Sequence, residues 1–269
     1  MAKNIQSEFV KYYKDKLEPL GFRKVKGRQP YFVRVVNDEI LHVITISGTT
    51  SAEQGYKAFI LRGGVISVYR KEINFSATPH NNGNWLIPLC AISERQYTAY
   101  PKVELPRDLM EYYYIDETIP NVLEDSQKGM DIIVKALGEI QNMDNLFIWY
   151  MKFQPSDISF RRWSDGSIFD EEGLYYLQKT YSSKKIIQAF DQRLAELEKS
   201  SLQITEKEEH EAEIIEWKLE LLNFKSQFEC SPDNYEKGRF ILIRQYNDNI
   251  ISIKEHGLNI NKDLGTFLL

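Results

Sequence analysis

The stretch that decides the fold is Tyr31-Phe32-Val33-Arg34-Val35-Val36-Asn37-Asp38-Glu39-Ile40-Leu41-His42-Val43-Ile44-Thr45-Ile46-Ser47. Its two halves, 31–36 and 40–47, are rich in β-branched residues, which favour strands. Between them stands a triplet whose Asn and Asp favour tight turns. The segment therefore predicts a β-hairpin with a short turn at 37–39.

An amphipathic helix is predicted ahead of this hairpin, over residues 5–20. Its apolar residues recur at helical spacing, and Gly21 stands where a helix C-cap is expected. The residues assigned to its apolar face are Ile5, Phe9, Tyr12, Leu17 and Leu20. The polar connector 23–30 could include a short edge strand.

A second hairpin is predicted after the first. Residues 56–62 and 65–70 read as strands that flank Gly63-Gly64, a pair suited to a type I′ turn because both of its central residues need positive φ. Further strands are predicted at 85–92 and 110–115. Consecutive strands with short turns favour an antiparallel meander over βαβ units. The fold class expected is therefore α+β, with the meander backed by the N-terminal helix.

The pattern becomes helical after Asp116. One apolar face runs from Ile119 to Ile140, and four more helices are predicted at 171–181, 184–200, 206–228 and 234–256, the last ended by Gly257. We expect this mostly helical C-terminal part to pack through Phe190, Trp217, Leu221, Phe224 and Phe240. The domains expected are an α+β domain over residues 1–160 and a helical domain over residues 161–269.

Composition and charge narrow the class of protein. The 269-residue chain has two cysteines far apart, Cys90 and Cys230, and no apolar run near the roughly 20 residues that span a bilayer. With no leader pattern, this predicts a cytoplasmic protein without membrane association. Residues 1–35 hold nine Lys or Arg against three acids, a net of +6, so the remainder carries −11. Such a basic front could attract an anionic partner or could be an ordinary solvated face.

The first half resembles a family of bacterial domains of unknown function. The residues that carry the likeness are Phe9, Leu17, Leu20, the element Gly21-Phe22-Arg23-Lys24, Tyr31-Phe32-Val33-Arg34 and His42-Val43-Ile44-Thr45-Ile46. The resemblance covers about residues 5–140. It implies the helix-then-meander fold and a bacterial origin, and it supplies no catalytic residues.

The candidate binding residues are Arg161, Arg162 and Trp163. Two guanidiniums beside an indole could hold a phosphate or carboxylate and stack on a ring. Alternatively, the indole packs at a domain junction and the arginines pair with nearby aspartates. His42 alternates with isoleucines, which predicts a buried, hydrogen-bonded histidine rather than a catalytic one.

Metal, cofactor and nucleic-acid sites are not predicted. Glu206, His210 and Glu213 share a helical stripe, but the acidic residues around them favour a solvated face over a metal site. No phosphate-binding loop, nucleophile elbow or zinc signature occurs. An overall pI near 5.6 argues against nucleic acid.

The function expected is therefore a non-enzymatic protein-interaction module whose partner is a protein. The alternative is an enzyme whose site is assembled from scattered carboxylate, Tyr and Arg residues. The catalytic residues and the oligomeric state stay open.

Overall fold

A computed structural model describes the chain over residues 4–27, 29–49, 57–70, 72–73, 75, 111–114, 116–146, 234–261 and 266–268. It also places helical positions at 175, 179, 191, 195, 219 and 222. The chain divides into two compact units, Met1–Phe153 with Tyr246–Leu269, and Gln154–Gln245. This differs from the expected domains of 1–160 and 161–269, because the last 24 residues belong with the first unit.

The first unit is built on a five-stranded antiparallel sheet whose strands follow chain order. The strands are β1 (Arg23–Val25), β2 (Tyr31–Val36), β3 (Ile40–Thr49), β4 (Lys57–Ser67) and β5 (Glu111–Tyr114). The helices are α1 (Ile5–Leu17), α2 (Ile119–Asp125), α3 (Gln127–Gly138) and α4 (Asn234–Glu255), with 3-10 turns at Glu18–Leu20, Asp116–Thr118 and Thr266–Leu268. The α+β class, the meander and the N-terminal helix are confirmed.

Helix α1 begins at Ile5 as predicted but ends at Leu17, and the 3-10 turn Glu18–Leu20 covers the rest of the predicted helix. The Asn4 side chain accepts a hydrogen bond from the Gln6 amide at the N-cap, and Gly21 adopts a φ of 85° after the 3-10 turn. The buried face consists of Ile5, Phe9, Tyr13 and Leu17. Tyr13 therefore takes the core position expected for Tyr12, and Leu20 is 45% exposed rather than buried.

The predicted Gly63-Gly64 turn is wrong. Both glycines lie inside the continuous strand β4, where Gly63 is opposite Ile44 and Gly64 is opposite Val43 on β3. The reason is close packing, since a Cβ atom on Gly63 would overlap the Ile133 side chain of α3. Gly63 therefore allows α3 to pack closely on the sheet, and it does not form a turn.

The β2–β3 turn is confirmed. Asn37 and Asp38 have φ values of 50° and 56°, and the Glu39 amide donates to the Val36 carbonyl at 3.2 Å. Positive φ at both central residues is the type I′ pattern, whose twist matches that of the two strands. The turn thereby sets the register in which Val36 is opposite Ile40.

Helices α1 and α3 cover the same face of the sheet. Phe9 of α1 contacts Phe32 with ring centroids 5.9 Å apart, and Phe32 is opposite Ile44, which is opposite Gly63 beneath α3. Residues opposite one another in register share a face. Arg34 and His42, which are also opposite one another, lie on this face.

The other face is covered by the end of the chain. Tyr31 contacts Phe75, and the Phe75 ring contacts His256 at the end of α4. Tyr69 stacks on Tyr246 and contacts Phe267, both at 5.2 Å between ring centroids. These contacts explain why residues 246–269 belong to the first unit.

In the second unit, α4 begins at Asn234 as predicted, and only single positions of the other helices are described. Phe240 is 74% exposed, so its expected core role is wrong, whereas Leu242 is fully buried. Phe190, Trp217, Leu221 and Phe224, and the predicted strand at 85–92, lie outside the described residues.

Candidate functional site

Polar side chains with long-range hydrogen bonds lie around the β2–β3 turn. We define the turn cluster as Arg34, Asn37, Asp38, Glu39 and His42, which β2, β3 and their turn bring together. Glu39 and His42 are buried, with 1% and 0% of their surface exposed. Buried polar groups of this kind need partners, because an unpaired one is costly to desolvate.

Three members of the turn cluster hold the segment that follows α3. His42 Nε2 lies 2.6 Å from the Ile140 carbonyl oxygen, and the Asn37 side-chain amide donates to the Gln141 carbonyl at 2.8 Å. Glu39 Oε2 accepts the Met143 amide proton at 3.3 Å. Residues 140–143 are thus bound to the hairpin through their own backbone.

Two members of the turn cluster hold the end of the chain. Asp38 accepts hydrogen bonds from the backbone and side-chain amides of Asn261, at 3.0 and 2.9 Å. Glu39 Oε1 accepts the Phe267 amide proton at 2.6 Å. Because its two oxygens serve two different segments, Glu39 joins residue 143 to residue 267.

His42 is held as a neutral ring. Burial, followed by the nearby charge of Arg34, lowers its pKa from 6.5 to about 4, while the bond to Ile140 opposes both effects. Arg34 Nε donates to His42 Nδ1 at 3.0 Å, so Nδ1 is an acceptor and Nε2 carries the proton toward Ile140. The prediction of a buried, hydrogen-bonded histidine is confirmed.

Arg34 is half-buried and is held by three different groups. Besides His42, its Nη1 donates to the Leu20 carbonyl at 3.0 Å, and its guanidinium carbon lies 4.7 Å from the centre of the Phe22 ring. Leu20 ends the 3-10 turn after α1, where carbonyl groups carry partial negative charge. Burial lowers the pKa of Arg34, because the charged form loses hydration.

The residues predicted as binding residues, Arg161, Arg162 and Trp163, lie outside the described part of the chain, as do Glu206, His210 and Glu213. Within the described part, no group of three or more His, Cys, Asp and Glu residues is placed to hold a metal ion. His256 is described, and its Nδ1 lies 2.7 Å from the Ser252 carbonyl in the last turn of α4. His256 therefore caps a carbonyl group at the C-terminal end of α4.

Two features of this site were not predicted from the sequence: the role of Arg34, and the long-range hydrogen bonds of the turn residues. A charged residue in the apolar run 31–36 was a signal for Arg34, since such a side chain needs compensation. The turn residues were interpreted only as local geometry. Nothing in their spacing indicates that they bind segments more than 100 residues away.

Comparison with known proteins gives no relative: no family model, no curated protein and no solved structure matches this chain. Among the described helices, none is both long enough and apolar enough to cross a membrane. Function must therefore be argued from the chain's own residues.

Proposed function

We propose that this chain is a non-enzymatic protein-interaction module and that its second unit presents the binding surface. The observation that carries the proposal is the exposure of large apolar side chains there. Six described large hydrophobic residues are exposed, and four of them belong to the second unit. These four are Leu219 (63%), Leu222 (48%), Phe240 (74%) and Ile241 (42%).

Phe240 is the strongest anchor among them. It sits on the same helix as Leu242, which is fully buried, so α4 is amphipathic at this point and leaves an aromatic ring in water. Moving such a side chain from water into a protein contact is worth roughly 1.5–3 kcal/mol. Aromatic side chains of this kind are enriched among the residues that dominate interface energies.

The turn cluster supports this proposal over an enzyme with a site of scattered carboxylate, Tyr and Arg residues. A general acid or base must reach a substrate proton. Both ring nitrogens of His42 and both carboxylate oxygens of Glu39 are instead engaged with the chain itself. The bacterial family resemblance and the cytoplasmic location remain predictions.

The test is site-specific photo-crosslinking in the cells that produce the protein. A benzophenone amino acid replaces Ile241, and its adducts are compared with and without Phe240→Ser. Ile251→Ser is the matched control, since Ile251 is a 61% exposed apolar residue of the same helix that belongs to the first unit. We expect one adduct of defined mass that Phe240→Ser abolishes and Ile251→Ser leaves.

Stability is measured on the same variants. Because Phe240 is mostly exposed, Phe240→Ser should change the free energy of unfolding by less than about 0.5 kcal/mol. An adduct that survives Phe240→Ser, or one that both variants weaken equally, contradicts the proposed surface. A loss of stability of about 2 kcal/mol would show that Phe240 is a core residue.

A further inference from the structure

The guanidinium of Arg34 is oriented by the protein but not neutralised by it. A guanidinium carries five N–H donors, and Arg34 uses two of them, one toward His42 Nδ1 and one toward the Leu20 carbonyl. None of the described carboxylates forms an ion pair with it. Three donors, including both on Nη2, therefore have no acceptor among the described residues.

The three groups that contact Arg34 leave its charge in place. His42 is a neutral ring, the Leu20 carbonyl is a dipole, and the Phe22 ring offers only the negative face of its quadrupole. A half-buried charge without a counter-charge is costly, and an anion relieves that cost. The contacts also fix the guanidinium plane, so little freedom is lost when an anion binds.

The acidic groups near Arg34 in the fold are already engaged. Glu18, in the 3-10 turn that ends at Leu20, lies 3.9 Å from Lys14 Nζ. Asp38 and Glu39 bond to backbone amides of distant segments. On the neighbouring strand β1, the exposed Lys24 is opposite Phe32, which is two positions from Arg34, so Lys24 and Arg34 lie on the same face. Lys24 therefore places a second positive charge on the same face of the sheet as Arg34.

We propose that Arg34 is the central residue of an oxyanion-binding site, whose ligand is a phosphate or carboxylate group that accepts hydrogen bonds from Nη1 and Nη2. Planar paired donors match two oxygens of such a group, which a spherical anion does not offer. Lys24 adds long-range attraction. The site belongs to the first unit and is independent of the surface around Phe240.

His42 provides a direct readout, because its Nδ1 accepts the Arg34 Nε proton. The full-length protein is titrated with inorganic phosphate, acetate and chloride at constant ionic strength, and the His42 ring is followed by NMR. Phosphate or acetate should shift the His42 signals saturably. Binding should also raise the His42 pKa, because the anion offsets the charge that lowers it.

Three variants separate the site from general charge effects. Arg34→Gln should weaken phosphate or acetate binding at least about tenfold, which corresponds to loss of a charge-assisted contact of about 1.4 kcal/mol. Arg34→Lys keeps the charge but loses the paired geometry, so it should bind more weakly than the wild type. Arg23→Gln removes an exposed charge from β1 and should bind as the wild type does.

The wild-type titration decides the proposal even if Arg34→Gln does not fold. Saturation with phosphate alone identifies a phosphate-type ligand, and saturation with acetate alone identifies a carboxylate. A linear response, or an equal response to chloride, shows only ionic screening and overturns the site. An equal loss of binding in Arg23→Gln also overturns it, because the effect would then belong to the basic surface as a whole.

Discussion

Replacement of Gly63 by alanine tests the packing of α3 on the sheet. The added Cβ would overlap the Ile133 side chain, and Ile133 is only 1% exposed, so neither the methyl nor the helix has space to move aside. Overpacking a core costs typically about 1–3 kcal/mol. A Gly-to-Ala change at a compatible site gains about 0.4–1 kcal/mol by restricting the unfolded chain. We therefore expect a net destabilisation of about 1–2 kcal/mol.

Urea unfolding measures this change. With a slope of about 2 kcal/mol per molar urea, the midpoint should fall by about 0.5–1 M. Gly138→Ala is the matched control, because Gly138 is exposed at the end of α3 and an added Cβ would meet no atom within 4 Å. That variant should keep or raise stability, by up to about 1 kcal/mol.

A double-mutant cycle identifies the partner of the added methyl. Ile133→Ala alone should cost about 2–5 kcal/mol. In that background Gly63→Ala should cost nothing or stabilise, because the overlapping atoms are gone, so the coupling energy should reach about 1 kcal/mol or more. If Gly63→Ala stabilises the wild type, or if the two changes are additive, the helix does not approach the strand as closely as described.

Two further predictions concern the turn cluster. The unfolded chain protonates His42 near pH 6.5 and the native protein does so only near pH 4, so the stability present above pH 6.5 should be lost as the pH falls toward 4, by about 3 kcal/mol. His42→Gln should flatten this dependence, and a dependence unchanged in that variant would contradict the assigned neutral ring. Glu39→Gln leaves one acceptor oxygen for two amides, so stability should fall by about 1–3 kcal/mol and hydrogen exchange at the Met143 or Phe267 amide should accelerate. The exposed Glu124→Gln should change stability by less than about 0.5 kcal/mol, and an equally small effect of Glu39→Gln would rule out the joining role of that carboxylate.

The parts of the fold that the sequence predicted correctly are determined by short-range effects. The φ values at Asn37 and Asp38 follow from the conformations that Asn and Asp tolerate and from the twist of adjacent strands. Gly21 ends the first helical segment, and Gly257, with a φ of 75°, ends α4. Each of these features needs only a few neighbouring residues, so the sequence displays them directly.

The sequence predicted only part of the candidate site. His42 was correctly predicted to be buried and hydrogen-bonded, because its place among alternating isoleucines indicates a strand face. Its acceptor, Ile140, and the identity of Arg34 as its donor depend on the register of β2 and on where α3 ends. These contacts form only in the folded chain, so the spacing of the residues in the sequence does not reveal them.

What the sequence by itself determined was a set of local features: a helix ended by a glycine, a hairpin with a short turn at 37–39, and helices after residue 116. Only the tertiary structure showed that Gly63 lies within a strand and not in a turn. The reason is its close contact with Ile133 of α3, which is 70 positions later in the sequence. The tertiary structure also decided that Glu39 joins Met143 to Phe267, across separations of 104 and 228 residues. The physical reason is that turns and caps are satisfied by adjacent backbone groups, whereas close packing and buried carboxylates are satisfied by whichever distant segment the folded chain brings to them.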